Sequence, residues 1–296
     1  MNEAGRWRVE LARKIAGYYA SHPGIVMIVI GGSAARGVAD AYSDIDMLIY
    51  WTKVDGDWLA SAPLEPHGGK RFTFRGMFDD RVYLEQYRIG DLKIDVGHLE
   101  MAWWEEQVAD VLEKHDEASD VQEMLYGFLN AIPLHGDQLY AESCDRISRY
   151  PEALALKMVT AHLHFYPLWV FSEHGLGRGD LLSFYDYLRG AITDIIGVLA
   201  GLNRIYTSTN KPKRTGDLLR KMPIAPRDVA GRIDAILAGD RRDAVPLLGE
   251  LIEEVIDLVE VHMPEVDTAR ARTLFAFQVW PCRTMPEFPV DIPEHP

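Results

Sequence analysis

Ile25-Val26-Met27-Ile28-Val29-Ile30-Gly31-Gly32-Ser33, followed across a turn by Ser43-Asp44-Ile45-Asp46-Met47-Leu48-Ile49-Tyr50-Trp51, is the stretch around which the chain is organised. The first six residues form an apolar, β-branched run and read as a central strand. Gly31-Gly32-Ser33 breaks it, and Ala34-Ala35-Arg36-Gly37 reads as a short turn or helix. The second segment alternates and then turns apolar, so it reads as a second strand starting at Asp44. Side chains at i and i+2 of a strand share a face, roughly 6.6 Å apart along it. Asp44 and Asp46 therefore face one way, with Ile45 and Met47 facing a core. Two carboxylates so placed repel each other, and a cation is expected between them.

Working outward, residues 3–21 read as an amphipathic helix whose apolar side holds Val9, Leu11, Ala12, Ile15, Ala16 and Tyr19. Residues 53–69 are rich in Pro, Gly and charge and read as a loop or mobile insertion. Residues 81–88 and 92–99 alternate around Ile89-Gly90-Asp91 and read as a hairpin. From Trp103 to about Ala276 the period is helical. The expected organisation is α+β: a strand-containing domain over 1–118, an all-α domain over 119–280 and a proline-rich tail over 281–296.

The chain has 296 residues and a net charge of −14, which disfavours nucleic acid as a partner and weakly favours a cationic one. No segment has the length of a membrane span, and the N-terminus lacks the apolar core of a signal peptide, so the cytoplasm is the expected compartment. Cys144 and Cys282 are too far apart in sequence to suggest a metal site.

Chemistry is expected where hard oxygen ligands meet a phosphate cradle. Asp95, in Ile94-Asp95-Val96, is an acid flanked by apolar residues in a strand. It is the candidate third carboxylate beside Asp44 and Asp46, a donor set suited to Mg²⁺. Gly31, Gly32 and Ser33 offer close backbone approach, exposed N–H groups and a hydroxyl to a phosphate. No Gly-x-x-x-x-Gly-Lys or Gly-x-Gly-x-x-Gly pattern is present.

These motifs, over roughly residues 25–100, resemble the DNA polymerase beta-like nucleotidyltransferase superfamily. The likeness is closest to the small-molecule branch with the aminoglycoside and lincosamide nucleotidyltransferases. The resemblance implies a small mixed β-sheet backed by helices, two Mg²⁺ ions, and a helical domain forming the far wall of a cleft. It also implies roles: Gly32 and Ser33 at the triphosphate, Asp44 and Asp46 on metal, Asp95 as third acid. ATP is the nucleotide it suggests. The expected partners are a nucleoside triphosphate and a small-molecule acceptor, with an antibiotic among the candidates and neither DNA nor membrane involved. Oligomerisation is left open.

Other residues carry two readings. Arg36 is a phosphate contact or a surface arginine. Lys213 and Arg214, in the basic run Lys211-Pro212-Lys213-Arg214, are triphosphate contacts or part of a solvated turn, and Lys157 is a weaker candidate of the same kind. Ser43 reads as a turn cap. Glu85 and Glu100 are auxiliary bases or exposed strand acids. His162 and His164 read as ordinary helix residues, and Trp103-Trp104 as core packing. Two competing functions remain: a regulatory, antitoxin-like nucleotidyltransferase that modifies or binds a partner protein, and a nucleotide-binding module without turnover.

Overall fold

The computed structural model describes residues 1–118, 120–207 and 215–277. Lys211, Lys213, Arg214, Cys282 and the proline-rich tail lie outside these residues. Among these residues six strands form one mixed sheet: β1 (Ile25–Ile30), β2 (Ile45–Trp51), β3 (Lys70–Met77), β4 (Val82–Ile89), β5 (Leu92–Glu100) and β6 (Ile132–His135), in the order β3-β4-β5-β2-β1-β6. The β2–β5 pair is parallel and the others are antiparallel. The helices are α1 (Glu3–Tyr19), α2 (Gly32–Ala35), α3 (Gly56–Ala60), α4 (Met101–Leu112), α5 (Val121–Leu129), α6 (Asp137–Ile147), α7 (Glu152–His162), α8 (Leu181–Asn203), α9 (Thr215–Leu219), α10 (Val229–Ala238), α11 (Arg241–His262) and α12 (Ala269–Phe275). The α+β expectation holds: a mixed sheet with helices, then a long helical run. Among the described residues, no helix is long and apolar enough to cross a membrane.

Two features depart from the sequence reading. Residues 53–69 do not form a mobile insertion: they include α3 and bury Val54, Leu59 and Leu64 against the α1 side of the sheet. The predominantly helical stretch after Trp103 contains β6, which pairs with β1 and so joins the sheet from beyond residue 118. Four residues containing Pro133 carry too little alternation to announce a strand, and pairing with β1 decides the matter. Gly136 then turns the chain at φ +76, where a Cβ would meet the Val26 carbonyl at 2.3 Å.

Strand alternation splits the core in two. Ile28, Ile30, Ile45, Met47, Ile49, Trp51, Ile94 and Val96 pack with α1 on one face. Met27, Val29, Tyr50, Val82 and Leu99 join the helices of the later chain on the other. Trp103 and Trp104 are buried in this second cluster, as their core reading expected, with Trp104 edge-on to Tyr50. Within the helical part, α7 and α8 approach closely: a Cβ on Gly201 would meet the Ala155 carbonyl at 2.9 Å, and the His162 ring lies against Gly197. His162 pairs with Asp194 at 2.9 Å, a role internal to the helices. His164 lies beyond the end of α7, so the expected helix stops two residues short of it.

Glu85 belongs to the α1 face and is neither an exposed acid nor a cleft base. Its carboxylate accepts from Tyr19 Oη at 2.9 Å, Tyr87 Oη at 2.6 Å and Arg71 Nη1 at 3.1 Å. His98 is also fully buried. Trp51 Nε1 donates to His98 Nδ1 at 3.1 Å, so the neutral imidazole donates from Nε2 to Glu85 at 3.0 Å. Burial opposes the Glu85 charge, but the hydrogen bonds from His98, Tyr87 and Tyr19 outweigh it and hold the carboxyl below its ordinary value of 4.5. Burial also holds His98 below 6.5, with Glu85 pulling weakly the other way.

Both groups are depressed, so the unfolded chain takes up protons before the folded one does. The stability contributed by His98 is complete above pH 6.5 and is lost as pH falls toward its folded value, with Glu85 adding to the loss below 4.5. Urea unfolding followed from pH 8 to 5 is expected to show falling stability below about pH 6.5. His98→Gln, which can keep both hydrogen bonds, should flatten that fall; an unchanged slope would remove His98 as its source.

Candidate active site

The order of the central strands brings the three sequence-nominated acids together. Asp46 on β2 lies directly beside Asp95 on β5 in the parallel register. Asp44 immediately precedes β2, which starts at Ile45, one residue later than expected. One carboxylate oxygen from each of Asp44, Asp46 and Asp95 lies within 4.8 Å of the other two. All three are partly buried. The sheet face that bears Asp46 and Asp95 also bears Tyr50 and Leu99, so the triad lies on the side to which the later helices pack.

The phosphate-cradle candidates adjoin it. Gly31 N donates to the Asp46 carbonyl at 2.9 Å, tying the end of β1 to the start of β2. Gly32 opens α2 at φ +62, and a Cβ there would meet Asp46 Oδ2 at 2.0 Å. Only glycine satisfies both the backbone conformation and the space taken by the carboxylate. Ser33 is buried in the first turn of α2, and Arg36 closes that helix as a half-buried C-cap residue.

The turn before Asp44 is held from both sides. Ser43 Oγ bonds to Asp40 Oδ1 and accepts from Asp40 N, each at 2.9 Å, the capping role its sequence suggested. Arg8, buried on α1, donates from Nε and Nη2 to the Ser43 carbonyl at 3.0 and 2.8 Å. Its contribution was not legible in the sequence, where it is one charged residue in an amphipathic helix.

Two further residues complete the cluster. Lys93 Nζ lies 2.6 Å from Asp95 Oδ2 and 3.5 Å from Asp44 Oδ2. Partial burial opposes its charge, but Asp95 and then Asp44 outweigh this and raise its pKa above 10.5. Gln86 Nε2 donates to Asp95 Oδ1 at 3.0 Å. The spacing Lys93-Ile94-Asp95 already places Lys93 on the acid's face, and the hairpin register places Gln86 opposite Asp95.

The remaining candidates lie elsewhere. Glu100 pairs in register with Trp51, five residues along β5 from Asp95, or roughly 16 Å. It accepts from Val54 N at 3.3 Å and pairs with Arg81 at 3.5 Å, so it does not reach the triad. Lys157 donates to the Lys114 carbonyl at 3.2 Å.

The donor chemistry fits a divalent cation: three carboxylates converge, and the ammonium of Lys93 already supplies positive charge there. Millimolar Mg²⁺ or Mn²⁺ is expected to raise the melting temperature of the wild-type protein, with a much smaller rise in Asp46→Asn. An equal rise in both would place the ion elsewhere. Gly32→Ala should destabilise the fold by about 1–3 kcal/mol in urea unfolding; a neutral result would mean that the Asp46 carboxylate is not held against α2.

Residues 12–100 match the family described as the nucleotidyltransferase domain. No curated protein sequence matches the chain. Among solved structures, the chain is similar to a nucleotidyltransferase-like protein from Exiguobacterium sibiricum 255-15, at 13% identity over 86% of this chain and 79% of that one, with a TM-score of 0.39. It is also similar to a chain of the CdnC:HORMA-deltaN complex of E. coli MS115-1, at 14% identity over 86% of this chain and 91% of that one, with a TM-score of 0.26. At these TM-scores the likeness is too loose to carry a substrate or a partner over to this chain. Asp44, Asp46 and Asp95 all lie within the residues that match the nucleotidyltransferase domain.

Proposed function

We propose that the protein transfers a nucleoside monophosphate, AMP from ATP in the simplest case, to a hydroxyl of a small-molecule acceptor and releases pyrophosphate. The observation that carries this reading is the meeting of Asp44, Asp46 and Asp95 within 4.8 Å beside the Gly32 turn. In this reading Asp44 and Asp46 would hold two Mg²⁺ ions with Asp95. Bound there, the ions supply charge neutralisation to the triphosphate and lower the cost of ionising the acceptor hydroxyl.

The protein's own groups do the rest. Gly31 and Gly32 bring backbone against the donor's phosphates, and Ser33 and Arg36 lie on the same short helix. Lys213 and Arg214 keep the candidate role of contacting the triphosphate. Asp95, oriented by Gln86 and Lys93, takes the proton from the acceptor hydroxyl. The acceptor oxygen then bonds to the α-phosphorus, the bond from that phosphorus to the bridging oxygen breaks, and the electron pair leaves with pyrophosphate. The matched domain and the all-carboxylate donor set support this chemistry over a binding module without turnover.

The test is incubation with labelled ATP, Mg²⁺ and a panel of small hydroxylated acceptors, aminoglycosides and lincosamides included. Label is expected on a small molecule, with pyrophosphate released in equal amount. Asp44→Asn and Asp46→Asn should each lower turnover by a factor on the order of 10³ while the circular dichroism spectrum is unchanged. Label found only on protein or RNA would overturn the small-molecule reading. Substantial turnover in both variants would mean that other acids do the work.

A further inference from the structure

Beyond Asp95 the same face of the sheet turns cationic. The β4–β5 register sets Arg88 opposite Lys93, and the β3–β4 register sets Lys70 opposite Arg88. Residues paired directly across strands share a face with Cβ atoms about 4.5–5.5 Å apart. Lys93, Arg88 and Lys70 therefore form one row across three strands. The neighbouring row on that face is Asp46, Asp95, Gln86 and Thr73. Arg75, two residues past Thr73 and opposite Leu84, flanks that row on its other side.

Lys70, Arg75 and Arg88 are exposed. Arg88 pairs with Asp91 of the adjoining turn, where both side chains are largely in solvent and the pair contributes little. Lys70 and Arg75 form no ion pair among the described residues. In a chain of net charge −14, Lys70 and Arg75 thus place two cations without an acidic partner among the described residues on the sheet face that carries the triad. Acids more than about 10 Å away are largely screened from them at ordinary salt.

Sheet order says which reactant meets the strip. Gly31-Gly32-Ser33 follows β1, on one side of β2, whereas β5, β4 and β3 lie on the other. A donor whose phosphates rest at the Gly-Gly-Ser turn leaves the cationic side of the triad to the second reactant. We propose that the acceptor is anionic: a small hydroxylated compound bearing a phosphate, which seats on Lys70, Arg88 and Arg75 while its hydroxyl meets Asp95. The strip lies roughly 7–12 Å from Asp95, a span suited to a phosphorylated sugar. Gln86 and Thr73 lie between the two and offer hydrogen bonds to the sugar hydroxyls. This narrows the transfer reading above and rests on it, and it reverses the cationic acceptor that overall charge favoured.

The test uses the full-length ¹⁵N-labelled protein with Mg²⁺ and a non-hydrolysable ATP analogue. Amide signals are followed while ribose 5-phosphate, ribose or kanamycin is added. Ribose 5-phosphate is expected to shift residues 70–75 and 86–88 saturably, and neither ribose nor kanamycin should do so. K70E/R88E, which alters only exposed side chains, should weaken that binding by about tenfold or more, with the analogue still shifting residues 31–33. The proposal is overturned if kanamycin or ribose shifts the strip equally well, if ribose 5-phosphate shifts only residues 31–33, or if K70E/R88E binds it as tightly as wild type. Failure of the transfer reading is seen separately: the analogue and Mg²⁺ would then leave residues 31–33 and 44–46 unmoved, and phosphate on the strip would have no acceptor role.

Discussion

Three carboxylates held within 4.8 Å of one another are the constraint on which this site depends. At an effective dielectric near 20, two full charges at that distance repel by about 3.5 kcal/mol, less where solvent reaches them. Unrelieved, that repulsion would push the strand ends apart. Lys93 relieves part of it by bonding to Asp95 with Asp44 close by, and the rigid parallel pairing of β2 with β5 prevents the acids from separating. Gly32 and Arg8 then act as fixtures. One leaves room for the Asp46 carboxylate, and the other pins the backbone just before Asp44. The result is a site with negative charge to spare, open to a cation of higher charge than a lysine.

The sheet separates the negative charge of the triad from a second, fully buried one. Glu85 and Gln86 are adjacent on β4, yet they face opposite ways. Gln86 supports Asp95, whereas Glu85 is saturated by Tyr19, Tyr87, His98 and Arg71 beneath α1. A fully buried carboxylate is tolerated only when so many donors surround it. The triad is only partly buried, and Asp95 is held there by Gln86 and Lys93. Glu85 on β4 and Asp95 on β5, two strand acids in the sequence, thus lie on opposite faces of the sheet.

Charge works at two ranges in this molecule. The net charge of −14 describes the far field, whereas a molecule at the triad would meet the side chains within a few ångströms of it. There the face runs from acids at β2 and β5 to cations at β4 and β3, a gradient across the strands that no sum over composition contains. Such a gradient orients a bound compound as well as attracting it.

The sequence alone was enough for the α+β class, for β1, β2 and the β4–β5 hairpin, and for Asp44, Asp46, Asp95 and the Gly31-Gly32-Ser33 turn. Period-2 alternation and the cost of an acid among apolar strand residues are local signals, readable without knowing which strand neighbours which. What only the tertiary structure decided was the pairing. It set Asp95 beside Asp46, drew β6 into the sheet, joined Glu85 to Tyr19 beneath α1 and brought Lys70 into line with Arg88 and Lys93. Each of these depends on register between segments distant in the chain. Register is settled by the packing of both sheet faces at once, so no single segment carries it.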